Sequence, residues 1–460
     1  MFFKEFLFVK EKKFFFLTNI LNFLFILLPL CFFFSNMVVN TFCLIFCIYS
    51  FFLFYSINLR IIFDKLDKIL LFFFFFLICA GITNKEITFT NVVNEIGLIR
   101  FFLIYFLIKN IVSYSLINFK AFFFSSFLCV FFLSVNIILI HIIGIDIFFN
   151  TVQNANIIGY ERYSSFFKDR YVAGSYILNF IFFSLFYLFF LKKKFNYVLI
   201  FSFIFFFGLA ILLSFDRSPF FLLILSILII NILNIKKKLF LNSIFIIFSL
   251  ILIILTYPKA KIRYNILYNF IDEIIYYKEK KKITKNIYEN LELYNKDEIL
   301  NKNFSYKYYS HFSIYVDSIN SILDEKVFFG SGKSSFKKRC SNYRINNDPL
   351  SLELGYAYAC PNHSHNIYLE ITLSTGVFGL IVFLSFLFLK IKGIVKILII
   401  LKKKNAIEYF YYSLLFTSLI IEIIPFRPYG NIFNSYNGLM FFVKVAIIYS
   451  YMVKFSKNPK

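Results

Sequence analysis

Apolar residues in this chain come mostly in long unbroken runs, with few stretches alternating at helical or strand spacing. Twelve runs can be marked, at roughly 14–34, 38–57, 69–83, 97–115, 121–143, 172–191, 196–214, 218–235, 239–256, 367–389, 406–424 and 437–453. A run of about 20 apolar residues crosses the hydrocarbon core of a bilayer, so each predicts a transmembrane helix. Between 257 and 366 the pattern changes. Residues 264–277 and 311–323 mix apolar and polar positions at helical spacing, which predicts a small helical cap outside the bilayer. The expected fold is an all-α polytopic membrane protein with about twelve transmembrane helices and one large, mostly helical loop. Its regions would be a nine-helix part at 1–256, the loop at 257–366 and a three-helix part at 367–460.

Lysine placement orients the expected spans. Lys10, Lys12 and Lys13, then Lys65 and Lys68, Lys192 to Lys194, Lys236 to Lys238, Lys402 to Lys404 and the tail Lys454, Lys457 and Lys460 all fall on one side if the spans alternate. Short cytoplasmic loops carry the excess of basic residues, so this side and both termini are expected to be cytoplasmic, and the long loop periplasmic. Residues 1–13 are charged and lead into an apolar run without a small-residue cleavage site, which reads as a first membrane helix rather than a signal peptide.

Composition changes this picture little. The chain is 60% hydrophobic, with 73 Phe, 32 Tyr and no Trp, a coding bias that makes runs such as Phe72 to Phe76 lipid-facing filler. Net charge of +24 would suggest nucleic acid in a soluble protein, but lysine clusters beside the spans account for most of it.

Arginine departs from that bias. Against forty Lys there are nine Arg, and only Arg60 falls on the cytoplasmic side. Arg162, Arg170, Arg217, Arg263, Arg339, Arg344 and Arg427 are expected outside, with Arg100 at the outer end of the fourth span. Guanidinium grips phosphate in a bidentate way that Lys cannot copy, so the outer cluster suggests an anionic, phosphate-bearing, lipid-linked substrate. Headgroup contact and surface solvation remain the alternative for any single Arg. Arg217 stands apart because it occupies a very short hairpin between two spans, where a charge is expected to face a site. Arg100 could serve a site or an intramembrane ion pair.

Of seven Cys, only Cys340 and Cys360 lie in the long loop. An oxidising compartment would join them and brace the segment entering His363. Gly330-Ser-Gly-Lys-Ser-Ser335 looks like a phosphate-binding loop, but the full pattern needs Gly at 327, which is Val. A turn after the 311–323 helix explains it better.

The stretch around His363-Ser364-His365-Asn366 ends the long loop. No metal is expected there, because a zinc site would need further ligands. Helix capping and interface packing are one reading of the histidines; a general base is the other, since imidazole titrates near neutral pH. Asn366 or Ser364 could cap the next helix, and Gly376 with Gly379 would permit close helix packing.

This stretch resembles the O-antigen ligase and O-antigen polymerase superfamily of bacterial membrane glycosyltransferases. His365-Asn366, nine residues, then Gly376 and Gly379 match the ligase signature. Ser214-Phe-Asp-Arg217-Ser218-Pro219 is similar to the family's Ser-Arg element, with Asp216 where Ser is usual. Arg162 to Tyr176 resembles an outer loop of the family, and Phe329-Gly330-Ser331-Gly332 its Phe-Gly-x-Gly entry to the catalytic loop. Polymerases often carry Arg-x10-Gly: Arg344 to Gly355 has that spacing, and Arg162 to Gly174 is one residue longer. The resemblance implies glycan transfer from undecaprenyl diphosphate to a lipid A core or a second lipid-linked glycan, in lipopolysaccharide or surface polysaccharide biosynthesis at the outer face of the inner membrane. His365 and Arg217 would be catalytic. Arg162, Arg344, Arg100, His363 and Asn366 would bind substrate, while Gly376, Gly379, Cys340 and Cys360 would be structural. No cofactor is expected. A transporter or flippase for lipid-linked glycans is the other class that twelve spans would suit. Ligase against polymerase, the sugar, the acceptor and the oligomeric state do not follow from the sequence.

Overall fold

A computed structural model describes residues 7–83, 89–147, 155–157, 160–162, 165–167, 172–191, 197–264, 311–324, 327–333, 335–347, 360–425, 427–428 and 430–457. The apolar runs fold as helices: α1 (Leu7–Cys31), α2 (Asn36–Ile57), α3 (Lys65–Thr83), α4 (Phe89–Ile96), α5 (Ile99–Ser113), α6 (Phe119–Ile143), α7 (Ala173–Leu191), α8 (Tyr197–Leu213), α9 (Arg217–Leu233) and α10 (Lys237–Thr256). The loop region contributes α11 (Pro258–Tyr264), α12 (His311–Asp324) and α13 (Phe336–Asn347). The chain ends on α14 (Ile367–Lys404), α15 (Ala406–Glu422) and α16 (Ser435–Lys457). A two-stranded ribbon, β1 (Ala155–Ile157) and β2 (Tyr160–Arg162), pairs Ala155 opposite Arg162.

Among the described residues nine helical segments are long and apolar enough to cross a membrane: α1, α2, α3, α4 through α5, α6, α7, α10, α14 and α16. The other three expected spans are also helices, but α8, α9 and α15 have 17 residues each. At about 1.5 Å per residue each is ~26 Å long, short of a hydrocarbon core of ~30 Å. Twelve runs therefore give twelve helical segments, of which nine meet the length for an unaided crossing. The expected cap helix at 311–323 is α12. The helical pattern at 264–277 lies outside the described residues beyond Tyr264.

Asn and Gly set the helix ends. The Asn118 side chain accepts from Ala121 N at α6, and Asn405 from Ile407 N and Glu408 N at α15. Asn58 and Gly144 close α2 and α6 in the left-handed region. Phenylalanine fills the interior, as where Phe123 meets Phe122, Phe183, Phe186 and Tyr451. Many phenylalanines are thus core as well as lipid-facing filler. Two buried lysines inside the bundle show how charge is accommodated there. Lys109 reaches Asp64 at 3.1 Å and also bonds Asp67, and Lys390 lies 3.6 Å from the Tyr449 ring centroid.

α14 is broken at Gly376, whose φ of 68° and ψ of −176° interrupt the helix about one quarter of the way along. Residues 327–332 pair with the break through main-chain bonds. Ser331 N donates to Leu373 O (3.0 Å), Gly332 N to Ser374 O (2.8 Å), and Val377 N to Val327 O (2.8 Å). Non-helical backbone inside a membrane protein needs such partners. The glycines let the two segments touch. A Cβ on Gly376 would meet Phe328 O at 2.1 Å, and one on Gly330 would meet Thr375 N at 2.4 Å. Gly376 thus makes room for a loop segment, not for a neighbouring helix as its spacing to Gly379 suggested.

Gly376→Ala should lower the thermal unfolding midpoint of the detergent-solubilised chain sharply. Its backbone lies in an extended positive-φ region almost reserved for glycine, which alone costs an L-residue about 1–3 kcal/mol before the clash is added. Gly393→Ala, at an ordinary helical position where the added Cβ would lie 3.1 Å from a Tyr449 ring atom that must give slightly, should lower it far less.

Candidate functional site

α12, α13 and the 327–335 segment form a small cap over the start of α14. Its core is Ile314, Ile322, Phe336, Cys340, Cys360 and Leu373. Arg339 is only 5% exposed and holds this cap: its Nη2 donates to Ser321 O (2.5 Å) and its Nη1 to Leu373 O (3.3 Å). One of the outer arginines is therefore a structural staple. Cys340 and Cys360 form the expected disulfide, 20 residues apart in sequence, which ties α13 to the segment entering His363.

The histidine turn follows directly. Asn366 caps α14: its Oδ1 accepts from Tyr368 N (2.9 Å) and Leu369 N (3.1 Å), while its Nδ2 donates to Pro425 O. An amide does both jobs at once because it carries donors and acceptor on one group. Glu370, in the first turn and 2% exposed, reaches back to accept from Ser364 N at 3.0 Å. A carboxylate there also meets the positive end of the helix dipole. Glu370 was not singled out from the sequence, although a carboxylate in the first turn of a capped helix is a readable signal.

Between these two anchors His365 is forced to a φ of 55°, a left-handed conformation that His tolerates better than most residues. Such strain persists only where neighbours over-determine it, and it gathers at functional sites. The rings of His363 and His365 lie 4.1 Å apart, and Tyr315 donates to His365 O at 3.4 Å. Burial holds the His363 pKa below the ordinary value of about 6.5. His363 is thus neutral at neutral pH and places no charge beside His365.

Arg217 opens α9 after a tight turn. Asp216 precedes it but leaves the helix uncapped, because its Oδ2 accepts from Gly174 N (3.0 Å) at the start of α7. Only glycine fits at 174, where a Cβ would meet Ser214 Oγ at 2.6 Å. Phe215 in the same turn has a φ of 57°. α11 clamps it, with Arg263 Nε donating to Phe215 O (3.2 Å) and Tyr264 to Leu212 O (2.9 Å).

These elements enclose a polar cavity of about 210 Å³ lined by Ser175, Asp216, Arg217, Ser218, Arg263 and Arg427, among others. Three guanidiniums thus converge on one small space. Arg427 follows Pro425 by two residues, and Pro425 O is the acceptor for Asn366. The 423–428 connection therefore joins the arginine cavity to the histidine turn. Tyr368, whose hydroxyl donates to Ile423 O, joins them a second time.

Of the arginines expected to act on substrate, Arg217 lines this cavity. Arg100 donates to Gly97 O (2.9 Å) and Ser435 Oγ (3.4 Å) beside the Phe101 ring. Arg162 lies on β2 and Arg344 on α13, with side chains outside the described residues. Arg263 and Arg427 belonged to the outer surplus, but nothing in their local sequence marked them as partners of Arg217. Among the described residues no group of three or more His, Cys, Asp and Glu is placed to hold a metal ion.

Reducing the disulfide, or changing Cys340→Ser, should loosen the cap. Closing a loop of this length is worth about 3 kcal/mol. Hydrogen exchange should then rise at α13 and at 360–366 while the helices of the bundle stay protected. Separately, the depressed His363 pKa means that the unfolded chain binds more protons below about 6.5. Stability should therefore be full above that pH and fall as pH drops through the lower folded value. The thermal midpoint of His363→Gln should decline less between pH 7.5 and 5.5 than that of the wild type.

Residues 201–384 match the family model for O-antigen ligase, a stretch running from α8 through Arg217, Arg263 and the histidine turn into α14. No curated protein matches the chain. That stretch, which holds both the arginine hairpin and the histidine turn, is where this multi-pass membrane protein is similar to the O-antigen ligase family.

Proposed function

We propose that this protein is a glycosyltransferase that moves a glycan from undecaprenyl diphosphate to a lipid A core sugar or to a second carrier-linked glycan. On the orientation that the lysines predict, the reaction takes place at the periplasmic face of the bacterial inner membrane, with 257–366 supplying the cap and both termini cytoplasmic. The observation that carries this reading is the three-arginine cavity, joined through 423–428 to the strained turn that presents His365.

The chemistry needs no more than these groups. Arg217, Arg263 and Arg427 hold the diphosphate. The acceptor hydroxyl gives its proton to His365 as its oxygen attacks the anomeric carbon, and the bond from that carbon to the diphosphate oxygen breaks. Both electrons leave with the diphosphate, whose charge rises as the bond opens. Fixed guanidiniums therefore bind the transition state more tightly than the substrate, the condition for catalysis. A neutral His363 4.1 Å from His365 adds no charge that would hinder its protonation. Attack from the face opposite the leaving group would invert the anomeric centre. Arg162, Arg344 and Arg100 remain proposed contacts to the rest of the donor or to the acceptor.

His365→Ala should cut glycan transfer by about 10²–10⁴-fold and Arg217→Ala by at least about 10²-fold, with membrane insertion unchanged. A lipopolysaccharide gel of a deletion strain complemented with each variant reads this out. Loss of all glycan on lipid A core marks a ligase, and retention of a single repeat marks a polymerase. Full transfer by both variants would remove the glycosyltransferase reading and leave the transporter.

A further inference from the structure

The arginine cavity has a buried support on the side of α15. Glu422, the last residue of α15, is 1% exposed. A carboxylate at a helix C-terminus meets the negative end of the dipole, and a buried one loses its hydration. Its position is tolerable only because two cations share it. Lys444 on α16, also 1% exposed, bonds its Oε1. Arg427 approaches its Oε2 through Nη1 at 2.7 Å, and the same nitrogen donates to Ile421 O at 3.1 Å. Lys444 Nζ also donates to Asn179 Oδ1 (3.1 Å) on α7, one turn beyond Ser175 of the cavity wall.

A hydrogen bond to Ile421 O and the nearby Glu422 carboxylate hold the same end of the guanidinium. The Arg427 group that lines the cavity is therefore oriented from behind, by the end of α15. Charge points the same way. Among the described residues of this cluster, Arg217, Arg263, Arg427 and Lys444 stand against Asp216 and Glu422, two more cations than carboxylates. A diphosphate diester carries two negative charges at neutral pH, so this surplus fits the group proposed for the cavity.

We infer that Glu422 is a positioning residue for diphosphate binding: it aims Arg427 into the cavity, and Lys444 with Asn179 fixes Glu422 to the cavity wall. This rests on the diphosphate reading above. A purely structural Glu422, present only as the counter-charge of Lys444, is the competing explanation, and paired variants separate the two.

The test uses the full chain in nanodiscs with farnesyl diphosphate as a soluble probe, binding followed by calorimetry and folding by thermal unfolding. Glu422→Gln alone leaves Lys444 buried without its carboxylate and should lower the unfolding midpoint. Glu422→Gln with Lys444→Met removes both charges and should recover the midpoint, yet still bind the probe about tenfold more weakly than the wild type. Arg427→Gln should show the same loss, and Glu422→Gln with Arg427→Gln no further loss, because both act through one contact. Farnesyl monophosphate, with one phosphate fewer to bridge the cavity, should discriminate less among these variants. Full affinity in the Glu422/Lys444 pair would overturn the inference while leaving the diphosphate reading intact, whereas full affinity in Arg427→Gln would overturn the inference and also remove Arg427 from the diphosphate site. A wild-type chain that does not bind the probe would overturn both.

Discussion

The break in α14 is the constraint on which the candidate site depends. A helix interrupted inside a membrane protein exposes carbonyl and amide groups that lipid cannot satisfy. Here residues 327–332 satisfy them, main chain to main chain, and Arg339 adds a side-chain donor to Leu373 O. That pairing pins the cap to the bundle at one level. The disulfide then pins α13 to Cys360, and the first turn of α14 pins His365. Every one of these attachments falls within the eighteen residues from Cys360 to Val377 or their direct partners, so the turn has little freedom left.

The same logic governs the arginines. A guanidinium near a bilayer is costly unless it is paired or faces a site. Arg339 is consumed by backbone carbonyls, and Arg100 donates to Gly97 O and Ser435 Oγ. Arg217, Arg263 and Arg427 converge on a cavity, Arg263 while donating to Phe215 O and Arg427 while paired with Glu422. Two strained backbone positions, Phe215 and His365, flank that convergence, each held by hydrogen bonds from another element. Strain of this kind costs of order 1–3 kcal/mol per residue, and packing elsewhere in the bundle must offset it.

Segment 423–428 gives the two halves a common frame. It accepts from Asn366 and Tyr368 on one side and carries Arg427 on the other. The histidine turn and Arg427, held to one short connection, can keep their spacing while the cap or the lipid around them moves.

The sequence by itself determined the helices, because a twenty-residue apolar run has few ways to bury its backbone in lipid other than as a helix. It also determined the cap helix at 311–323 and the pairing of Cys340 with Cys360, and it narrowed the cap of the histidine turn to Asn366 or Ser364, of which the structure has Asn366, since all of these are local or follow from having only two candidates. It did not determine the role of Gly376: a spacing of three between glycines looks the same whether a helix or an unwound loop fills the gap. Nor did it select Arg263 and Arg427 from the outer arginines, or find Glu422 behind them. Those residues lie 46 and 210 positions from Arg217, and only the packing of α7, α9, α11 and α15 makes them neighbours. Local chemistry is written in the chain, whereas convergence of like charges from distant segments is decided by how the helices pack.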